Sequence, residues 1–230
     1  MLDEPRLALS FLSRIPAGGK GDVRHITRYF TLVGYCAGAV YWAGRQYVPG
    51  DLGVILSITV GFFLFDLFHF DGLLDTFDGF LNQGGREKCL AIMSKGDTGP
   101  FAVFFSFFYC AALFLAFRSS APLSLVYMSV IGRFSMCVLL ATTHPAKPGG
   151  LGALVSPYDQ RTTLLNLAVT LPLAVLDPIR WAVSIVVASA IGLFLGAVSR
   201  RKIEGYTGDV LGATCLLAQL GVIIANLYVP

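Results

Sequence analysis

Charge is what this chain lacks: Asp, Glu, Lys and Arg together supply 13% of its 230 residues, against 55% hydrophobic residues. With a mean hydropathy of +0.70 it lies outside the range of an ordinary solvated domain, which points to a membrane protein. Paired cysteines are lacking too. Cys36, Cys89, Cys110, Cys137 and Cys215 are scattered, none forms a Cys-x-x-Cys pair, and four sit in apolar runs. That pattern excludes a disulfide or zinc framework and reads as small core hydrophobes. No polar stretch is long enough for a second domain, so residues 1–230 are read as a single integral membrane domain. The opening Met1-Leu2-Asp3-Glu4-Pro5 has no basic region running into an apolar core, so no cleaved signal peptide is expected.

What is present is a series of apolar runs, each meeting or approaching the roughly 20 residues that a membrane crossing requires. Their cores are Tyr29 to Val48, Leu52 to Phe70, Pro100 to Phe117, Pro122 to Ala141, Thr163 to Leu176, Trp181 to Val198 and Val210 to Tyr228. The expected fold is therefore all-α, a polytopic membrane helix bundle of about seven transmembrane helices. Six or eight remain open, because the fifth run is short and contains Pro172. Placing the N-terminus in the cytoplasm puts thirteen of the 17 Lys and Arg residues on the cytoplasmic side. Arg45, Arg118 and Arg180 fall outside, and Arg133 lies within a span. This bias orients the bundle and puts its motif-rich connections on the cytoplasmic face.

One of those motifs is His69-Phe-Asp-Gly-Leu-Leu-Asp-Thr-Phe-Asp-Gly-Phe80. If the second span continues as a helix, Asp71, Asp75 and Asp78 stand at i, i+4 and i+7, within about 60° of one another on one face. Three stacked carboxylates repel unless a cation compensates, and an all-oxygen donor set favours Mg²⁺, with Mn²⁺ or Ca²⁺ as alternatives to it, over zinc. A solvated helix end is the plain alternative for a single aspartate. It accounts poorly for three on one face, two of them followed by Gly. Asp66 points away from that face; at its depth it is protonated, paired with a cation such as Arg133, or turned to a water-filled cavity. His69, on nearly the opposite side from Asp71, is a poor ligand for the same ion.

Arg133, inside an apolar run, faces the bundle interior as a phosphate fork or as the partner of an aspartate. Lys147 precedes Gly149, Gly150 and Gly152, whose backbone N–H groups suit an anion, although a Gly-rich turn is also an ordinary loop. Thr207, Gly208 and Asp209 enter the last span, where Thr207 or Asp209 caps the helix and its N-terminus favours phosphate. The N-terminal Leu7, Leu9, Phe11 and Leu12 form an amphipathic, interfacial stretch.

Taken together these residues resemble the adenosylcobinamide-GDP ribazoletransferases, the membrane cobalamin synthases. The aspartate motif matches that family's His-x-Asp-Gly-x-x-Asp-Thr-x-Asp-Gly. Phe11 to Pro16 resembles its Phe-Leu-Thr-Arg-Ile-Pro, Pro148 to Gly152 its Gly-Leu-Gly loop, and Gly205 to Ala213 its Gly-x-Thr-Gly-Asp-x-Leu-Gly-Ala; Arg133 falls where such sequences carry an arginine. The chain departs from the pattern at Lys95, Gly99, Cys215 and Leu216, and at Gly149 or Gly150 in place of an acid.

The resemblance implies Mg²⁺-dependent transfer from adenosylcobinamide-GDP to alpha-ribazole or its 5'-phosphate with release of GMP, in a prokaryotic plasma membrane, by a multi-pass protein. Asp71, Asp75 and Asp78 become candidate metal ligands, with Asp75 or Asp78 also the base. Asp97, between Lys95 and Gly99, is a further metal candidate. Arg14, Arg133, Lys147, Gly150, Gly152, Thr207, Gly208 and Asp209 become candidates for holding substrate phosphate. The bilayer is the expected environment, nucleic acid is not an expected partner, and a homo-oligomer is left open.

Two other readings are weaker. A CDP-alcohol phosphotransferase signature opens with Asp-x-x-Asp-Gly, as Asp75 to Gly79 does, but its Ala-Arg, Gly and later aspartates are missing. A transporter would need functional acids deep in several spans.

Overall fold

The computed structural model describes residues 3–229 and is all-α. Helix α1 (Asp3–Leu12) is the short amphipathic stretch, and a 3-10 turn leads to α2 (Phe30–Tyr47). Then come α3 (Gly50–Leu81), α4 (Arg86–Met93), α5 (Pro100–Ser119) and α6 (Pro122–Thr142). The chain ends with α7 (Arg161–Leu176), α8 (Pro178–Ile203) and α9 (Gly208–Asn226). Proline opens α5, α6 and α8, where a missing N–H costs nothing. Asp177 caps α8 by accepting the Arg180 N–H at 2.9 Å.

Among the described residues five helices are long and apolar enough to cross a membrane: α3, α5, α6, α8 and α9. They account for five of the seven expected runs. The other two runs are helical, but α2 is diluted by glycines, Gln46 and Arg45, and α7 has 16 residues and turns at Thr170 ahead of Pro172. Both are nonetheless bound to the bundle. Asn166 of α7 accepts the Thr31 N–H of α2 at 3.1 Å and donates to Thr27 O at 2.9 Å, all out of water.

Helix α6 is the axis, with 83% of its apolar window buried against 28% for α5. Helices α2, α8 and α9 surround it. Helix α5 instead turns Phe104, Phe107 and Phe108 outward, as a lipid-facing surface requires. Helix α3 is the longest. It is α-helical except for one wide turn with i→i+5 bonding over Phe62–Asp66, and it runs on through the aspartate motif to Leu81.

Candidate functional site

The three aspartates share α3 but not an environment. Asp71 is exposed, Asp75 half-buried and Asp78 buried. Asp78 accepts the Gly99 N–H on Oδ2 at 2.6 Å and the Ala102 N–H on Oδ1 at 3.0 Å. Both oxygens are thus committed to the N-terminus of α5, a favourable place for an anion. Asp71 and Asp75 have no hydrogen bond or ion pair among the described residues.

What stands beside them is Asp209. Helices α3 and α9 cross so closely that a Cβ on Gly72 would lie 2.7 Å from Asp209 Cα, and one on Gly212 would lie 2.9 Å from His69 Cα. Only hydrogen fits there, as at other small-residue crossings in membranes. The charges that act on Asp75 are accordingly those of Asp209, Asp71 and Asp78. Thr207 caps α9, accepting the Val210 N–H at 3.4 Å, and its hydroxyl donates to Asp209 Oδ2 at 3.0 Å.

Asp209 also borders a cleft of about 220 Å³ lined by Met93, Ser94, Lys147, Gly149, Gly150, Gly152, Tyr206, Thr207 and Gly208. A backbone clasp assembles it: the Tyr206 N–H donates to His144 O at 2.9 Å, and the Ala146 N–H to Tyr206 O at 2.8 Å. Gly149 and Gly150 adopt φ of +81° and +82°, conformations that side chains disfavour. Lys147 acts electrostatically on Asp209, and burial pushes the Tyr206 phenol up to about 12. Cation, glycine-loop amides and a helix N-terminus thus converge beside unpaired carboxylates. This is an arrangement suited to a diphosphate and a hard dication.

The remaining expected residues lie elsewhere. Asp97 lines a different cleft, of about 280 Å³, with Asp78, Asn82, Lys95 and Gly99. Arg133 is fully buried; its Nη2 donates to Asp66 Oδ1 at 2.8 Å and its Nη1 to Ser129 O at 3.1 Å, so it pairs with an aspartate inside the bundle. Asp66 also accepts from Tyr41 Oη at 2.6 Å and Gln219 Nε2 at 3.3 Å, and lies 3.2 Å from His69 Nδ1. One carboxylate thereby joins α2, α3, α6 and α9. Arg14 packs on α3 in a separate groove with Phe63 and Phe68.

Among the described residues the compact ligand cluster is Asp66, His69 and Cys215, with donor atoms within 4.8 Å of one another. Arg133 already supplies the positive charge there, and a mixed oxygen, nitrogen and sulfur set does not suit Mg²⁺. The all-oxygen donors of Asp71, Asp75 and Asp209 are chemically apt for that ion. Tyr41 and Gln219 were missed in the sequence, although a glutamine inside the last apolar run is itself a signal of a buried polar contact.

The chain matches the family described as cobalamin-5-phosphate synthase over residues 4–227. It is 47% identical to an adenosylcobinamide-GDP ribazoletransferase of Kosmotoga olearia over 228 residues, covering 98% of each chain. Proteins of the same name from Fervidobacterium nodosum and Thermosipho melanesiensis are each 43% identical, over 96% and 93% of this chain and 95% and 93% of theirs. No solved structure matches this chain.

Proposed function

This chain belongs to the cobalamin-5-phosphate synthase family, and from that premise we propose that it joins adenosylcobinamide-GDP to alpha-ribazole or its 5'-phosphate, releasing GMP. The observation that carries the site assignment is the Gly72 contact, which sets Asp209 beside Asp71 and Asp75 at the mouth of the Lys147 cleft.

In this reaction a ribose hydroxyl oxygen bonds to the cobinamide-side phosphorus, the bond from that phosphorus to the bridging oxygen breaks, and GMP leaves with the electron pair. Asp75 is the carboxylate to accept the hydroxyl proton, because both Asp78 oxygens are held by α5 amides. Lys147 and the amides of Gly149, Gly150 and Gly208 orient the diphosphate, with Thr207 and Gly152 shaping the turn beneath it. Asp71, Asp75 and Asp209 would hold Mg²⁺, with Mn²⁺ as an alternative. When bound, the ion neutralises the diphosphate and the departing nucleotide. Asp78 shapes the site through α5, whereas Asp97 lines the separate cleft beside Asp78.

We further propose that α2 and α7 cross the bilayer with the five longer helices. The N-terminus, the α3 C-terminus, the 143–160 loop and the α8–α9 turn then share the cytoplasmic face, as the distribution of Lys and Arg favours.

The test is GMP release by purified protein in lipid, with and without alpha-ribazole and Mg²⁺. Release that requires both, and that Asp75→Asn abolishes while the protein stays folded, is the expected result. Release independent of alpha-ribazole, or full turnover by Asp75→Asn, overturns the assignment.

A further inference from the structure

The wide turn of α3 builds a feature that the transfer reaction does not use. On an ideal α-helix Phe63 and Phe68, five residues apart, would stand about 140° from each other. The i→i+5 turn over Phe62–Asp66 underwinds the helix between them, and both rings come to lie under one guanidinium. Arg14 Cζ is 4.8 Å from the Phe63 centroid and 5.5 Å from that of Phe68. The same turn receives the backbone, since the Arg14 N–H donates to Leu64 O at 2.7 Å.

Stacking on rings occupies the faces of a guanidinium and leaves its N–H edge open to a planar or tetrahedral anion. Arg14 is exposed and has no acidic partner among the described residues. The groove it commands, about 770 Å³ and walled by Phe11, Pro16, Phe63, Leu64 and Phe68, contains no carboxylate to hold a metal–diphosphate. Its two rings are more than half exposed on the outer surface of a membrane-crossing helix, where acyl chains are the neighbours. Phe68 lies only three residues, about 4.5 Å of helix rise, before Asp71. We propose that this groove is a binding site for an anionic phospholipid, with the headgroup phosphate on the Arg14 fork and an acyl chain along Phe63 and Phe68.

The test exposes detergent-purified full-length protein to vesicles of equimolar phosphatidylglycerol and phosphatidylcholine, and identifies the lipid that stays bound by native mass spectrometry. Wild-type protein should retain phosphatidylglycerol preferentially, and Arg14→Gln should lose about fivefold of that preference, the size expected for one basic residue near a lipid surface. Arg14→Lys should restore only part of it, because an ammonium lacks the fork. Phe68→Leu, which keeps the charge and halves the platform, covers the case in which Arg14→Gln does not fold, and it too should lower the preference. Equal retention by wild-type and variants overturns the proposal. So does a variant that keeps its lipid but shows a raised KM for adenosylcobinamide-GDP, since the groove would then belong to the corrinoid substrate.

Discussion

Replacing Gly72 by Ala puts a single methyl group at the α3–α9 crossing. At an exposed helical site this change would gain about 1 kcal/mol, because Gly is the poorer helix former. Here the new Cβ would meet Asp209 Cα at 2.7 Å and Asp209 O at 2.8 Å, both backbone atoms that cannot rotate aside. Restoring carbon contacts to about 3.5–4.0 Å requires the two helices to part by about 1 Å. Overpacking of this kind costs roughly 1–3 kcal/mol, so the clash outweighs the propensity and the net change is a loss of up to about 2 kcal/mol. The larger effect falls on catalysis. A displacement of about 1 Å between Asp209 and the Asp71–Asp75 pair should lower turnover by about 10²-fold, mainly in kcat. The assay is Mg²⁺-dependent GMP release at saturating substrate, with Gly85→Ala as the control, since a Cβ there meets nothing within 4 Å. Wild-type kcat in a folded Gly72→Ala protein would refute the claim that this crossing sets the site.

Three further outcomes follow from the same contacts. Asp78→Asn turns an amide toward one of the two N–H groups that Asp78 now accepts; thermal unfolding should show a loss of about 1.5–3 kcal/mol, while kcat falls much less than in Asp75→Asn. Arg133→Met leaves the buried Asp66 without its guanidinium partner and should cost about 3–5 kcal/mol, most of it recovered in the double variant with Asp66→Asn; a double variant no more stable than the single one contradicts the pairing. Acid should loosen α1: the hydrogen bond from His25 holds the Glu4 carboxyl below its ordinary value. A depressed carboxyl contributes stability that is present above its unfolded pKa, near 4.5, and is lost as pH falls through the folded one. Hydrogen exchange in residues 3–12 should therefore rise below pH 4.5 in the wild type and lose that pH dependence in Glu4→Gln.

Much of this was legible in the sequence because it depends on one helix. The ridge of Asp71, Asp75 and Asp78 follows from 3.6-residue periodicity, and α3 does continue through it. The pairing of Asp66 with Arg133, one of three states open to a deep aspartate, needed only the high cost of a lone charge in hydrocarbon. What could not be read is what neighbouring helices do to the ridge. Asp78 is withdrawn to the N-terminus of α5, and Asp209 arrives through a crossing that two glycines permit. The proposed site is therefore built across two helices instead of along one. Arg14 was legible as a cation beside an amphipathic stretch, but not the underwound turn that aligns two rings beneath it. The place of α2 and α7 was less legible, because an apolar run taken singly does not show contacts such as Asn166 to Thr31 that fix them in the bundle.

The union of Asp66 with Arg133 also bears on how the chain is made. Translation delivers the acid 67 positions before its base, so when the arginine-bearing segment leaves the ribosome its counter-ion is already waiting in the bilayer. A lone arginine at the centre of an inserting segment carries a penalty of about 2.5–3.5 kcal/mol, and here the order of synthesis offsets it. Synthesis thus proceeds from the acidic helix to the basic one, and a circular permutant that reversed them would have to insert the arginine before its counter-ion.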